Sequence, residues 1–212
     1  MQSSLEIKNC ELYRQHEQVL SLNEQVKGGE KLTIMGPSGS GKSSLLNWLT
    51  GTLPNGFSAN GEVWLNGKSI NNLPAHLRHI GVLYQDALLF SHLSVSGNIA
   101  FAMPKGNKKQ RLEKIEHALE QVGLKGMANR HPDNLSGGQQ ARVALLRMLL
   151  SEPKAILLDE PFSKLDTQLR VDTRELVFSQ IREYKLPAIM VTHDHSDAEA
   201  ASGKLITLNL AK

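Results

Sequence analysis

The 212-residue chain lacks the features that would insert it into a membrane or place it in an oxidising compartment. Its uninterrupted apolar runs, of which Ala155–Leu158 is an example, are far shorter than the roughly 20 apolar residues that a bilayer-spanning helix needs. The N-terminus, MQSSLEIKNC, is polar where a signal peptide would be apolar, so we expect a cytoplasmic protein. The single cysteine, Cys10, cannot form an intramolecular disulfide, and we expect it to pack as a small apolar residue. Any work at a membrane must therefore depend on other polypeptides.

The chain also lacks a strong charge imbalance and has few aromatic residues. Its 24 Lys and Arg side chains against 21 Asp and Glu give a net charge of +3, which does not favour nucleic acid as a partner. The basic cluster Lys105–Arg111 has no interleaved aromatic residue, so we interpret it as the solvated start of a helix. With 40% hydrophobic residues the chain can bury a core, and its length suits about one domain.

Hydrophobic periodicity predicts an α/β fold. Short apolar runs late in the chain are typical of strands buried on both faces of a largely parallel sheet, and the middle of the chain has helical spacing. The predicted strands are Leu5–Asn9, Val19–Val26, Lys31–Gly36, Gly61–Gly67, Ile80–Gln85, Ala155–Pro161, Ala188–Asp194 and Lys204–Leu210, and the predicted helices are Ser43–Gly51, Gln110–Gly123, Gly138–Pro153 and Leu165–Tyr184.

A glycine-rich loop between a predicted strand and a predicted helix indicates a phosphate site. GPSGSGKS fits the pattern GxxxxGK(S/T), in which backbone N–H groups surround phosphate oxygens and the helix N-terminus adds its positive dipole. Lys42 is expected to reach the β- and γ-phosphates, and Ser43 to ligate Mg²⁺. The predicted binding residues are Gly36, Pro37, Ser38, Gly39, Ser40, Gly41, Lys42, Ser43 and Ser44.

Two adjacent carboxylates end the apolar run AILLDE, at the edge of the sheet where ligands bind in open α/β folds. Asp159 is expected to hold Mg²⁺ through water, and Glu160 to orient or deprotonate an attacking water. A second anion-binding device follows from LSGGQ, where Ser136 and two glycines precede a predicted helix. These motifs predict a nucleotide triphosphate site.

The order of the motifs resembles the ATP-binding subunit of an ABC transporter over almost the whole chain. GPSGSGKS is similar to the Walker A motif of that family, AILLDE to Walker B and LSGGQ to the signature motif. Gln85 in LYQD is similar to the Q-loop glutamine, His193 in IMVTHD to the switch histidine, and Asp166 in SKLD to the D-loop. Tyr13 stands where the family carries an aromatic residue that stacks on adenine.

The resemblance implies a P-loop NTPase core with a mostly parallel sheet, an antiparallel β subdomain and a helical insert. One ABC ATPase domain is expected over residues 1–212, with the nucleotide-binding core at 1–86 and 155–212 and a helical signature subdomain at 87–154. ATP and Mg²⁺ are the expected cofactors, and Gln85 is expected to be a further metal ligand. The expected catalytic residues are Lys42, Gln85, Glu160 and His193.

The same resemblance implies a homodimer in which ATP on one chain is covered by the signature residues of the other. The expected covering residues are Ser136, Gly137, Gly138 and Gln139, with Asp166 at the same interface. We expect integral-membrane permease subunits, a periplasmic binding protein acting indirectly, and a location on the inner face of the cell membrane. The middle segment is most similar to bacterial importers for solutes such as thiamine, iron, molybdate or sulfate.

Several alternatives remain open from the sequence. An ABC exporter ATPase would share every nucleotide motif, and a soluble ABC protein would share them without a membrane partner. A small-molecule kinase would keep GPSGSGKS but would have no use for LSGGQ or His193. Lys164 departs from the family pattern, which has a small residue such as alanine there. It either makes a contact across the dimer or points into solvent.

Overall fold

The computed structural model describes residues 3–208 and contains two compact units. One comprises the described residues up to Ile80, Lys154–Glu160 and those from Phe178 onward, and the other comprises Gly81–Pro153 and Pro161–Val177. The strands are β1 (Ser4–Arg14), β2 (Glu17–Lys27), β3 (Lys31–Met35), β4 (Phe57–Leu65), β5 (Lys68–Ser69), β6 (Ile80–Tyr84), β7 (Ala155–Asp159), β8 (Ala188–Thr192) and β9 (Lys204–Thr207). The helices are α1 (Lys42–Thr50), α2 (Val95–Ala102), α3 (Lys108–Gln121), α4 (Gly137–Leu149), α5 (Thr167–Glu183) and α6 (His195–Ala201).

A parallel sheet forms the centre of the first unit, with strands in the order β7-β8-β3-β9. The first four residues of β7 and all five of β8 are buried, because these strands are apolar on both faces. The sequence therefore predicts them well. The last two residues of the predicted strand Lys204–Leu210, Asn209 and Leu210, lie outside the described residues.

An antiparallel sheet of order β2-β1-β4-β5 completes the strands of this unit. In β1 the buried positions run Leu5 and Ile7, then Cys10 and Leu12, so the alternation shifts by one residue. A bulge causes the shift: Asn9 has φ 49°, and a Cβ at the facing Gly61 would lie 2.6 Å from the Asn9 carbonyl oxygen. Burial raises the pKa of the Cys10 thiol to about 12, with a smaller contribution from Glu11, so this thiol is a packing group.

The second unit has a helical core. Side chains from α2, α3 and α4 pack together, and the fully buried ones include Val95, Ile99, Leu119 and Val143. The basic cluster at the start of α3 is exposed from Lys105 to Gln110, as the sequence predicts. None of the described helices combines the length and hydropathy that a bilayer-spanning helix requires. The predicted fold class, an α/β core with an antiparallel β subdomain and a helical insert, is confirmed.

Candidate functional site

The glycine-rich loop joins the end of β3 to the start of α1. Gly39 and Gly41 both have φ 85°, a left-handed conformation that side-chain-bearing residues adopt only at a cost. Helix α1 begins at Lys42 without a side-chain cap and without an acidic residue in its first turn. Its first N–H groups have no intrahelical acceptor, so this end of α1 is suited to an anion.

Lys42 is buried against its own loop. Its ammonium donates to the carbonyl oxygens of Gly36 at 2.7 Å and Pro37 at 2.8 Å. Ser40 is only 2% exposed, and its hydroxyl has no hydrogen-bond partner among the described residues. A buried polar group without a partner is costly, and a bound phosphate would remove that cost. The loop therefore fits a phosphate ligand.

Asp159, the last residue of β7, accepts a hydrogen bond from the Ser43 hydroxyl. Burial raises the pKa of its carboxyl above the ordinary value, and the charge of Glu160 adds to the rise. The bond from Ser43 and the charge of Lys42 oppose the rise but do not cancel it. A divalent cation would relieve the same cost, and the hydroxyl and carboxylate oxygens present are donors that Mg²⁺ prefers. No group of three or more His, Cys, Asp or Glu side chains in the described chain forms another candidate metal site.

Glu160 follows β7 in a left-handed conformation, with φ 46°, and its N–H donates to the Val191 carbonyl at 3.0 Å. Its carboxylate Oε1 lies 3.1 Å from Nδ1 of His193, directly after β8. The imidazole is 61% exposed and the carboxylate 26% exposed. The ends of two neighbouring parallel strands thus bring together a carboxylate and a proton-carrying ring that water can reach.

Tyr13 lies on the antiparallel sheet, opposite Gln18 and Ser58. Its hydroxyl donates to Glu11 Oε2 at 2.8 Å, and this bond is the main cause of a raised pKa of the phenol. Its stacking on adenine stays a prediction.

The second unit holds the LSGGQ segment at the start of α4. Ser136 caps the helix: its Oγ accepts from the Gln139 N–H at 3.3 Å, and Gln139 Oε1 accepts from the Ser136 N–H at 3.0 Å. The N–H groups of Gly137 and Gly138 remain without an intrahelical acceptor. A Cβ on Gly137 would meet nothing within 4 Å, whereas one on Gly138 would lie 2.3 Å from Leu169. The first glycine is open to a ligand, and the second allows close helix packing.

Gln85 and Asp166 lie in two loops of this same unit. Gln85 lines a cavity of about 220 Å³ together with Gly137 and Thr173. The Asp166 carboxylate accepts from the N–H of Leu169 at 3.1 Å, in the first turn of α5.

Lys164 pairs within its own chain, with its Nζ 2.5 Å from Oδ1 of Asp86. This partner within the same chain differs from both placements expected from the sequence, which were a contact across a dimer and exposure to solvent. The acid beside Gln85 was the available signal, but 78 residues separate the pair.

A sequence model described as "ABC transporter" matches residues 19–163. The chain belongs to the ABC transporter family. Membership makes it an ATPase, and the predictions of family and enzymatic activity are both confirmed. The individual site residues and the domain boundaries stay predictions.

Its ABC relatives include one protein of nearly equal length and others that are longer. The ABC transporter ATP-binding protein YnjD of Escherichia coli (strain K12) is 48% identical over 203 residues, 94% of this chain and 93% of that protein. The Fe(3+) ions import ATP-binding protein FbpC of Serratia marcescens is 47% identical over 82% of this chain and 51% of its own length. The spermidine/putrescine import ATP-binding protein PotA of Clostridium novyi (strain NT) is 38% identical over 97% and 59% respectively.

Proposed function

We propose that this ABC ATPase drives the uptake of a small solute through separate permease subunits on the inner face of the cell membrane. The observation that carries the catalytic part is the first unit's grouping of Lys42, Ser43 and Asp159 at one loop and of Glu160 with His193. The import names of FbpC and PotA support the direction. The solute is selected by the other polypeptides of such a system.

Each residue of the nucleotide site has a distinct role in this proposal. Lys42 and the loop N–H groups hold the β- and γ-phosphates, because the ammonium and the uncapped start of α1 lie at the same loop. Ser43, Gln85 and, through water, Asp159 would hold magnesium. Magnesium held there would supply positive charge that offsets the negative charge of the phosphates. Tyr13 stacks on the adenine.

Glu160 is proposed to orient and deprotonate the attacking water, and His193 to hold that carboxylate in place. Since Nδ1 contacts Glu160 Oε1 at 3.1 Å, the remaining ring nitrogen is available to a phosphate oxygen. In the imidazolium form both nitrogens donate, so one ring can bond the carboxylate and the γ-phosphate together. Loss of the γ-phosphate would then break that bond, which makes His193 a sensor of the nucleotide state.

A second copy of the chain is proposed to complete each site. Ser136 and the N–H groups of Gly137 and Gly138 form a second anion-binding helix start, with one exposed glycine and no steric block above it. We propose that this start covers the γ-phosphate held by the other chain, with Gln139 completing the capping box of Ser136 and Asp166 in the same interface. ATP then joins the two chains, and hydrolysis releases them.

The proposed permease contact is an exposed apolar surface of the second unit, named here the Leu88–Phe101 patch and formed by Leu88, Phe90 and Phe101. Leu88 is 59% exposed and Phe101 is 69% exposed. The rings of Phe90 and Phe101 meet edge to face with centroids 4.8 Å apart. Exposed apolar groups of this kind mark interaction surfaces. Leu88, the first residue of the patch, follows Gln85 by three residues.

Two side chains, the buried Asn98 and the half-buried Arg147, hold the patch in shape. Asn98 is fully buried and bonds both backbone groups of Phe90, with its Oδ1 accepting at 2.8 Å and its Nδ2 donating at 3.1 Å. Arg147 donates to the carbonyl oxygens of Ala87 and Leu88, and its guanidinium lies 5.7 Å from the centre of the Phe90 ring. A backbone shape fixed by several side-chain hydrogen bonds suits a fixed partner.

The permease contact is tested by Phe101→Glu, with Leu112→Glu as the matched control. Leu112 is also an exposed apolar residue of the second unit, 48% exposed, but it lies on α3 outside the patch. We expect the Phe101→Glu variant to be lost from the membrane fraction of the host cells, because the new carboxylate would have to be desolvated at the permease contact. Leu112→Glu should remain with the membranes, and both variants should keep the wild-type melting temperature.

Other outcomes of this fractionation would favour the alternatives. A wild-type chain recovered with ribosomes or DNA, and absent from membranes, would indicate a soluble ABC protein. A membrane-bound chain whose loss raises the cellular content of a solute would indicate an exporter.

A further inference from the structure

An ion pair joins the two loops that carry Gln85 and Asp166. The Lys164 ammonium lies 2.5 Å from the Asp86 carboxylate, and the side chains are 52% and 58% exposed. Two other ion pairs in this unit are local in sequence, Lys125 with Glu120 and His131 with Asp133. The Lys164–Asp86 pair is different because it connects segments 78 residues apart.

Each partner sits next to a residue of the proposed machinery. Asp86 directly follows Gln85, and on its other side the Ala87 carbonyl is held by Arg147 at 2.8 Å. Lys164 stands two residues before Asp166, whose carboxylate caps the first turn of α5. The ion pair therefore connects Gln85 to a loop that is itself anchored on a helix.

The surroundings of the pair leave room for the loops to shift. Both partners line the cavity of about 220 Å³, together with Gln85 and Thr173. Thr173 is 2% exposed, and its hydroxyl has no hydrogen-bond partner in the described chain. Since Thr173 lines the cavity, the space beneath the loops is incompletely filled. An electrostatic contact across an open cavity controls loop position more than one that sits over a packed core.

We propose that Lys164 and Asp86 are positioning residues that make the Gln85 and Asp166 loops move as one body during the ATPase cycle. The inference rests on the proposed roles of Gln85 and Asp166. The family pattern has a small residue at the position of Lys164, so a linkage through Lys164 would be a property of this chain. The pair is proposed to act through Gln85, which precedes Asp86 in the chain.

Hydrogen exchange of the nucleotide-free chain tests the linkage without any need for activity. Lys164→Ala should accelerate amide exchange across residues 85–89, and Asp86→Asn should accelerate it across 162–166, by about threefold in each case. Lys125→Ala removes an exposed pair of 2.6 Å in the same unit and should change neither segment. Acceleration confined to the mutated loop would overturn the proposal.

A double-mutant cycle then tests the consequence for the reaction. Each single variant should lower kcat by about three- to fivefold with KM within twofold, because Lys42 and its loop still bind the nucleotide. The double variant should be no worse than either single one, and the exchanged pair Lys164→Asp with Asp86→Lys should recover most of the rate. The deficit should shrink toward 1 M salt, where the screening length is about 3 Å.

The two tests separate this proposal from the proposed function. Additive single effects, or an exchanged pair no better than Lys164→Ala, would overturn the linkage while leaving the site assignments intact. If Gln85→Ala, made in the otherwise wild-type chain, left kcat unchanged, that result would instead contradict the role of Gln85. The hydrogen-exchange measurement would still decide whether the two loops are joined.

Discussion

At the scale of single residues, Asp159 ionises at a cost in free energy when no cation is bound. Burial is the first cause of its raised pKa, and Glu160 is the second. Because the pKa is higher in the folded than in the unfolded chain, the folded state holds the proton more tightly. The free energy of unfolding therefore falls as pH rises from the unfolded-state pKa, about 3.9, through the raised value, and the cost is fully present at neutral pH.

Replacing the ionisable group should stabilise the protein and impair the enzyme. We expect Asp159→Asn to raise the melting temperature in EDTA at pH 7.5, with a gain that shrinks as the pH falls through the raised pKa of the wild-type carboxyl and is lost below about pH 3.9. ATPase activity should fall by about 10- to 100-fold, as expected for a group that orients metal-bound water. Melting curves against pH and a phosphate-release assay make the two measurements.

Glu113→Gln serves as the control, since it removes an exposed carboxylate from α3. It should leave both quantities at their wild-type values. A lower melting temperature for Asp159→Asn at neutral pH would mean that the Ser43 bond and the Lys42 charge outweigh burial, and the proposed electrostatic account of this residue would be wrong.

At the scale of elements, the two glycines that begin α4 have different structural requirements. Gly138 is buried and faces Leu169 of α5, whereas Gly137 is exposed and faces open space. The LSGGQ motif by itself does not distinguish the roles of Gly137 and Gly138. The structure assigns one to packing between helices and leaves the other accessible, so their stability effects can be separated.

Gly138→Ala should destabilise the chain, because its Cβ would lie 2.3 Å from a Leu169 methyl carbon. Overpacking of this kind costs about 1–3 kcal/mol, and Leu169→Ala in the same chain should restore most of it. Gly137→Ala should keep the free energy of unfolding within about 0.5 kcal/mol of wild type. Urea denaturation measures all three variants. Equal stability of Gly137→Ala and Gly138→Ala would contradict the packing role.

The elements also indicate what a sequence can predict. β7 and β8 follow from apolar runs because both faces are buried, and the phosphate loop follows from its glycines. β1 extends to Arg14, beyond the predicted end at Asn9, because a bulge shifts its alternation. Helix α2 was missed as a separate element because its eight residues include glycine and β-branched side chains, which weaken the helical pattern.

Within the candidate site, residues carried by local motifs were predictable and long-range partners were not. Lys42, Asp159 and Glu160 lie in short segments whose chemistry is visible in the sequence. The contacts of Asp86 with Lys164 and of Gly138 with Leu169 depend on how distant segments come together, for which no local pattern exists. The structure alone supplies those contacts.

At the scale of the whole molecule, the chain carries two helix starts suited to phosphate. One is the uncapped N-terminus of α1 in the first unit, and the other is the start of α4 in the second unit. One nucleotide bound at α1 and covered by the α4 start of another chain uses both. In the proposed function, ATP therefore links two copies of the chain, each of which supplies part of two sites.

The most direct test is the mass of the Glu160→Gln variant by size-exclusion chromatography with light scattering. Without the proposed base, hydrolysis should slow by about 100-fold or more while MgATP still binds. We predict twice the mass of one chain at millimolar MgATP, the mass of one chain without nucleotide, and no dimer when Lys42→Ala is added. A Glu160→Gln chain that binds MgATP but stays monomeric would contradict the shared active site.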